Sequence, residues 1–224
     1  DKETEVPREV VSCATATQTG GLHFKAPSLS SGTDTVFYVY VGNGAASDYA
    51  AGDPYGAQNV WTNSYTMVLH LEEDAAGTTT NRLYLDSTGN GYDGADRISD
   101  TAKTGKIGSG QGFDGSDDYI PVHDLFYSGS GTIPAITVSA WVNSGSGNDQ
   151  IIASWDRSEY WRLAMVDDSG TNNVGWDTHD GGVDDLGTPA AYNDGAWHHV
   201  AGWFSAGGGT DKKLLVDGQV RAST

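Results

Sequence analysis

The sequence predicts an all-β fold: an antiparallel β-sandwich of the jelly-roll type, with a small β segment before it. Short runs of β-branched and aromatic residues recur along the chain between turns, and 31 of the 224 residues are glycine. No longer stretch keeps its apolar residues at helical spacing. Many short strands joined by glycine-rich turns are typical of sandwiches and jelly rolls.

Composition and charge limit the classes of partner. The formal net charge is −18 and the pI is about 4.3, with only 12 lysines and arginines. Because such a surface repels phosphates, we expect neither nucleic acid nor an anionic membrane as a partner. No apolar run is long enough to cross a bilayer, so no direct membrane insertion is expected. The single cysteine, Cys13, leaves no internal disulfide.

Residues 1–64 are expected to form a partial β module. Residues 22–26 alternate apolar and polar side chains, and residues 35–41 are β-branched or aromatic throughout, so both are predicted strands. Residues 45–64 are rich in alanine, aspartate and glycine without a period, which indicates a connector.

From residue 65 to residue 224 the pattern becomes one series of short strands, which we interpret as the sandwich. The predicted strands are residues 66–72, 82–85, 111–113, 118–122, 136–143, 150–155, 160–166, 173–177, 197–204 and 212–216. In the strand 136–143, Ile136 and the alternate residues after it form an apolar face. Trp141 therefore falls on the other face, with Thr137 and Ser139.

Several motifs recur in this second part in a fixed order. They are VLHLEED, DSTGNGYDG, GKIGSGQGFDGSDDYIPV, ITVSAWVN, IIASWD, YWRLAM, DGAWHHVAGWF and KLLVDGQV. In order and spacing they resemble the LamG-like, concanavalin A-like jelly-roll family, and the resemblance implies the fold without identifying a ligand. In residues 1–64, VPREVVS, GLHFKAPSLSSGTDTVFYVYVGN and NVW resemble a module of unknown function that often precedes LamG-like domains in bacterial and archaeal surface proteins.

The ending of the chain departs from this family pattern. Family members continue for one or more strands after the VDG turn, whereas this chain stops at Thr224, soon after it. The resemblance therefore implies a segment of a larger surface protein whose sandwich lacks its last strand or strands. Because an open sheet edge invites pairing, we expect a strand of a neighbouring chain or segment to fill it.

Two acidic, glycine-rich turns are candidate calcium sites. The candidate ligands are Asp86, Asn90 and Asp93 in the first turn and Asp114, Asp117 and Asp118 in the second. Calcium takes about six to eight oxygens from carboxylates, carbonyls and water, which such turns can supply. The resemblance also implies calcium in this region. The alternative is that aspartate, asparagine and glycine are present because they suit tight turns.

Aromatic residues next to acidic ones are candidates for carbohydrate binding. The predicted ligand-binding residues are Trp155, Asp156, Tyr160, Trp176 and Asp177. An exposed ring can stack on the C–H face of a pyranose while a neighbouring carboxylate bonds its hydroxyls. The alternative for Trp155 and Trp176 is core packing, because aromatic residues fill sandwich interiors. Trp141, Trp197 and Trp203 are expected in the core.

Catalytic motifs are missing from the sequence. Residues 65–224 contain only three glutamates, Glu72, Glu73 and Glu159, and no run that sets two carboxylates on one strand face, as a glycoside hydrolase requires. His198 and His199 are adjacent and point to opposite faces of a strand, so they are not expected to share a metal.

These observations favour a non-enzymatic recognition or adhesion module, extracellular or at the cell surface, in a larger bacterial or archaeal protein. It would bind a glycan or a surface protein, with calcium as the cofactor. The alternative is a structural or assembly domain, a spacer or the subunit of a surface filament, without a sugar ligand. A carbohydrate-active enzyme on the same fold is less favoured because the carboxylate pair is missing.

Overall fold

The computed structural model describes residues 4–14, 16–73, 77–100, 103–125, 133–155, 161–166, 173–179, 183–206 and 211–224. The chain divides into two compact units, Asp1–Leu125 and Phe126–Thr224, called unit 1 and unit 2 below. The division at residue 65 concerns sequence motifs and stays a prediction. No α-helix occurs in the described ranges, where the helical residues are the short 3-10 helix Ala57–Asn59. None of the described residues forms a helix able to span a bilayer.

Unit 1 contains four short strands among its described residues. They are β1 (Arg8–Ala14), β2 (Thr19–Phe24), β3 (Lys103–Thr104) and β4 (Ser109–Gly110). β1 pairs with β2 and β3 pairs with β4, both antiparallel. Outside these two hairpins, unit 1 is tied by the isolated bridges Leu69–Asp86, Tyr84–Gly94 and Gly94–Val122.

Most of the strands predicted in unit 1 are not strands in the structure. The wrong predictions are residues 35–41, 66–72, 82–85, 111–113 and 118–122. In the middle of unit 1, buried aspartates such as Asp86 and Asp96 accept hydrogen bonds from backbone N–H groups that a sheet ladder would otherwise use. In residues 35–41, Val36 and Val41 are 65% and 88% exposed. β propensity forms a strand only where a partner strand and a packing surface exist.

Unit 2 is a sandwich of two four-stranded antiparallel sheets. Its strands are β5 (Ala135–Asn143), β6 (Gln150–Trp155), β7 (Trp161–Val166), β8 (Asn173–His179), β9 (Val183–Ala191), β10 (Trp197–Ser205), β11 (Asp211–Val216) and β12 (Gln219–Ser223). The spatial orders are β12-β11-β10-β5 and β6-β7-β8-β9. The all-β sandwich prediction is confirmed, and six of these strands overlap predicted ones. The sequence analysis missed β9, which holds Pro189 and lies at a sheet edge, where proline is tolerated, and the short edge strand β12.

The core of unit 2 lies between the two sheets, because alternate residues of each strand point into the same layer. Its buried members come from β7 and β8 on one side and from β10 and β11 on the other: Trp161, Leu163, Met165, Val174, Trp176, Val200, Phe204, Leu214 and Val216. This packing turns one face of β5 and β10 inward and leaves the opposite face of both strands outside the core.

Candidate functional site

Trp176, predicted as a sugar platform, lies in the core of unit 2. It has no exposed surface, and its ring centroid is 5.9 Å from that of Trp161. Its ring also packs so closely on Gly202 that a Cβ there would lie 2.4 Å from Trp176 Cδ2. No ring face is open to a sugar, so the platform prediction is wrong for Trp176 and the core-packing alternative is right. Alternation along β8 places Trp176 on the same side as Val174.

Asp177, the next residue of β8, points to the opposite side of the sheet and is 1% exposed. Its Oδ2 accepts a hydrogen bond from Nε of Arg162 at 2.7 Å and forms an ion pair with Nη2 of the same guanidinium at 2.5 Å. The two residues are direct partners in the β7–β8 register, and Arg162 is itself buried. A buried carboxylate needs such a cation to offset the loss of hydration. The ion pair with Arg162 therefore accounts for the burial of the Asp177 carboxylate, and no ligand is needed to explain it.

Trp155, also a predicted ligand-binding residue, is partly buried at the end of β6. It packs against the core and is the register partner of Trp161. Asp156 and Tyr160 lie outside the described residues. A ligand site at Trp155, Asp156 and Tyr160 stays a prediction.

The aromatic face is our name for Trp141, Trp197, His199 and Trp203, which lie on the side of β5 and β10 turned away from the core. Trp141 is 41% exposed, and its ring centroid lies 5.4 Å from that of His199. Trp197 and Trp203 are partly exposed, and Nζ of Lys213 lies 4.9 Å from the Trp203 ring. The core prediction is therefore wrong for these three tryptophans, none of which belongs to the buried cluster.

The strand register gives the aromatic face its shape. Trp141 is paired with His199, and Trp203 lies four residues further along β10. At about 3.3 Å per residue, the two positions are about 13 Å apart. Ser139 and Ala201 are paired between them. The result is a strip with an aromatic ring at each end and small side chains between, which suits a ligand with flat apolar surfaces and hydroxyl groups.

Asp86, the first candidate calcium ligand, is the hydrogen-bond acceptor at the centre of its turn. Its Oδ1 accepts from the N–H groups of Val68 and Thr88, each at 3.0 Å. Its Oδ2 accepts from the Thr88 hydroxyl at 2.7 Å and from the Tyr92 N–H at 3.0 Å. Both oxygens thus face the positive ends of protein dipoles, which would repel a cation. Asp86 does not fit a calcium ligand in this conformation.

Asp93 and Asn90, the other candidates of the first turn, are also held by protein groups. Asp93 accepts from the Asp86 N–H at 2.9 Å through Oδ1 and from Nη1 of Arg82 at 3.2 Å through Oδ2. The Asn90 side chain donates to the carbonyl of Thr66 at 2.9 Å. A guanidinium already neutralises the one remaining carboxylate, so the first turn follows the tight-turn alternative rather than a cation site.

The second turn brings three carboxylates together, and a calcium site there stays a prediction. Asp114, Asp117 and Asp118 form the one group of metal-binding side chains in the described ranges whose ligand atoms all lie within 4.8 Å of one another. The N–H of Ser116 donates to Asp114 at 2.7 Å, and this bond with its neighbours lowers the pKa of Asp114. Asp118 accepts from the N–H of Ser99 at 2.7 Å through Oδ1 and from the N–H of Asp114 at 2.9 Å through Oδ2, so its oxygens are held much as those of Asp86 are. Asp114 and Asp117 are the exposed members of the group. Three carboxylates this close repel one another, and they would hold a calcium ion with water or carbonyls completing its coordination.

His198 and His199 point to opposite faces, as predicted, and do not share a site. His198 Nδ1 lies 2.8 Å from an Asp217 carboxylate oxygen, and its Nε2 lies 3.2 Å from one of Asp194. Burial lowers the pKa of His198, but the hydrogen bonds to both aspartates outweigh burial and the net pKa is raised. When protonated, the imidazole ties the start of β10 to the turn between β11 and β12.

Comparison with known proteins agrees with this architecture. Residues 113–224, half of the chain, match the family described as the concanavalin A-like lectin/glucanases superfamily. No curated protein and no solved structure gives a significant match. The matched span starts at the acidic turn of Asp114 and includes both sheets of unit 2. The chain belongs to the concanavalin A-like lectin/glucanases superfamily.

Proposed function

We propose that the chain is a non-enzymatic extracellular recognition module that binds carbohydrate on the aromatic face. Family membership supports a carbohydrate or protein ligand, since the superfamily unites lectins and glucanases by description. The observation that carries the proposal is the outward position of Trp141, 41% exposed beside His199. An exposed tryptophan side chain contributes favourable free energy only when another surface covers it and removes its apolar area from water. Clustered aromatic residues outside a core are therefore typical of binding surfaces.

The groups around the aromatic face favour a sugar as the covering surface. Ser139 and Thr137 lie on the same face of β5, and Asn143 is the register partner of Trp197 at the end of the strip. Hydroxyl and amide groups bond sugar hydroxyls while the rings cover the C–H faces. The net charge of −18 favours neutral or cationic sugars over glycans that carry carboxylate or sulfate.

The same strands support binding rather than hydrolysis. Glycoside hydrolysis uses two carboxylates that flank the scissile bond at about 5–10 Å from each other. Neither β5 nor β10 contains an aspartate or a glutamate. The buried Asp177 of the other sheet is engaged by Arg162.

We place calcium, within this proposal, at Asp114, Asp117 and Asp118. The ion would neutralise the three clustered carboxylates and so stabilise the turn at the start of the matched span. The acidic composition and the family together favour a place in a larger bacterial or archaeal surface protein.

The test is a glycan screen followed by titration calorimetry of wild type and Trp141→Ala. Truncating an aromatic anchor typically costs about 2 kcal/mol, so Kd should rise about 30-fold. Tyr119→Ala is the matched control, because Tyr119 is exposed but lies in unit 1. Absence of binding to any glycan, with or without calcium, would refute the proposal. Equal affinities of wild type and Trp141→Ala would remove the aromatic face from it.

A second candidate function, assembly through strand pairing, is favoured by one observation. Val36, Val39, Tyr40 and Val41 are 65%, 67%, 70% and 88% exposed, although their sequence suits a strand. A strand of a neighbouring chain would cover them. Light scattering tests this candidate: wild type should self-associate or bind its neighbouring segment, and Val39→Pro should not. A wild type that stays monomeric at all concentrations and binds no such segment would argue against it.

A further inference from the structure

Two histidines of unit 1 stack on each other, and a carboxylate contacts one of them. Glu9 of β1 and His23 of β2 are direct partners in the hairpin register. Glu9 Oε2 accepts from Nε1 of Trp61 at 2.6 Å and lies 3.0 Å from Nε2 of His70. The His23 ring lies almost parallel to the His70 ring, with centroids 5.0 Å apart and planes 10° apart. The hairpin of β1 and β2 is thus joined by side chains to Trp61 and His70.

The charges around the two imidazoles are unequal. Glu9, Glu72 and Glu73 all exert an attraction on a protonated His70. His23 is exposed to the repulsion of His70 and to the weaker attraction of Glu9. One proton on the pair therefore sits on His70, where the carboxylate contacts it, and a second proton must enter next to a positive charge.

The directions of the pKa values agree with this geometry. Burial alone would lower the pKa of His70, but its hydrogen bond to Glu9 raises the net value. Burial and then repulsion by His70 both lower the pKa of His23. Burial raises the pKa of Glu9, yet hydrogen bonds from His70, Ser87 and Trp61 lower the net value.

We propose that Glu9, His23, Trp61 and His70 form an acid-released latch that holds the hairpin of β1 and β2 in place. With one proton the latch is closed, because the His70 imidazolium pairs with Glu9 and stacks on a neutral His23. When a ring nitrogen of His23 takes a proton from solvent, two imidazolium rings face each other and the hairpin is released locally. Return of that proton to solvent closes the latch again. The device lies within unit 1 and does not depend on carbohydrate binding.

The sign of the pH dependence follows from the two histidines. His70 binds its proton more tightly in the folded unit, so its stabilisation increases as pH falls toward about 6.5 and is then complete. His23 binds its proton less tightly when folded, so its protonation destabilises the unit as pH falls below about 6.5. The hairpin is therefore held best near neutral pH and loosens in mild acid, while Glu9 is still ionised.

Amide hydrogen exchange of the full chain, corrected for intrinsic exchange rates, tests the latch between about pH 6.5, where the His70 contribution is complete, and about pH 5. In wild type, protection of the β1 and β2 amides should fall about ten-fold toward the lower pH, as expected for a partly screened repulsion between two charges. Protection in β10 should not fall. His23→Phe keeps a flat ring without a titrating nitrogen and should lose this fall. His23→Gln, which also lacks the proton, should lose it as well.

His199→Gln is the matched control, because it removes a partly buried histidine outside the latch, and it should keep the wild-type behaviour of the hairpin. His70→Gln should lower the protection of β1 and β2 at every pH, since the contact with Glu9 is lost. Constant wild-type protection over this pH range would overturn the proposal. An equal fall in wild type and in both His23 variants would overturn it too.

Discussion

Replacing Asp86 by alanine is expected to destabilise unit 1 by about 3–4.5 kcal/mol. The residue is 9% exposed and accepts from three backbone N–H groups, of Val68, Thr88 and Tyr92, and from the Thr88 hydroxyl. The hydroxyl can turn to the carbonyl of Thr66, 3.5 Å away. The three N–H groups lose their acceptor, at about 1–1.5 kcal/mol each after partial entry of water.

Urea unfolding followed by hydrogen exchange of unit 1 amides would measure this loss, in calcium and in EDTA. The matched control is Asp117→Ala, which removes an exposed aspartate of the other turn and should change stability by about 0.5 kcal/mol or less without calcium. A wild-type stability for Asp86→Ala would refute the reasoning. A loss that appears only in calcium would refute it as well, because a cation rather than the N–H groups would then hold the turn.

Three further predictions follow from the structure. Gly202→Ala should lower the stability of unit 2 by about 1–3 kcal/mol in thermal unfolding, because the new Cβ would lie 2.4 Å from Cδ2 of the buried Trp176; an unchanged midpoint would contradict this packing. Because the net pKa of His198 is raised, its stabilisation is complete below about pH 6.5 and is lost as pH rises through the folded pKa. Asp217→Asn should therefore flatten the pH dependence of unit 2 stability, and a wild type without such dependence would count against the pairing of His198 with Asp217 and Asp194. Calcium at about 100 times its Kd should stabilise unit 1 by about 2.7 kcal/mol, less in Asp117→Asn; equal midpoints in calcium and EDTA would remove calcium from the account.

Strand β5 could be predicted because its alternation is complete within the segment. The predicted strand 136–143 corresponds to β5, Ala135–Asn143, and 197–204 corresponds to β10, Trp197–Ser205. In β5 the alternation also places Ile136 and Trp141 on opposite faces of the strand. The outward position of Trp141 was therefore visible in the sequence. The core prediction for Trp141 was wrong because it followed the general preference of tryptophan for cores.

The positions of Trp176 and Asp177 could not be predicted in the same way. Both sides of β8 are buried, so its residues show no contrast between an apolar and a polar side. Trp176 packs into the core, and Asp177 on the opposite side is neutralised by Arg162, which comes from the neighbouring strand β7. Only the pairing of the strands brings the cation that makes a buried aspartate acceptable.

By itself the sequence determined the class of fold and most strands of unit 2, because these depend on local periodicity and residue type. The tertiary structure decided how the carboxylates of the two acidic turns are arranged. The turns at Asp86 and Asp114 have similar composition, yet Asp86 is surrounded by N–H groups, whereas three carboxylates converge in the second turn. The tertiary structure also decided that His23 stacks on His70, since the two lie 47 positions apart in the sequence. Hydrogen-bond direction and long-range contact are properties of the folded chain, and residue type alone does not contain them.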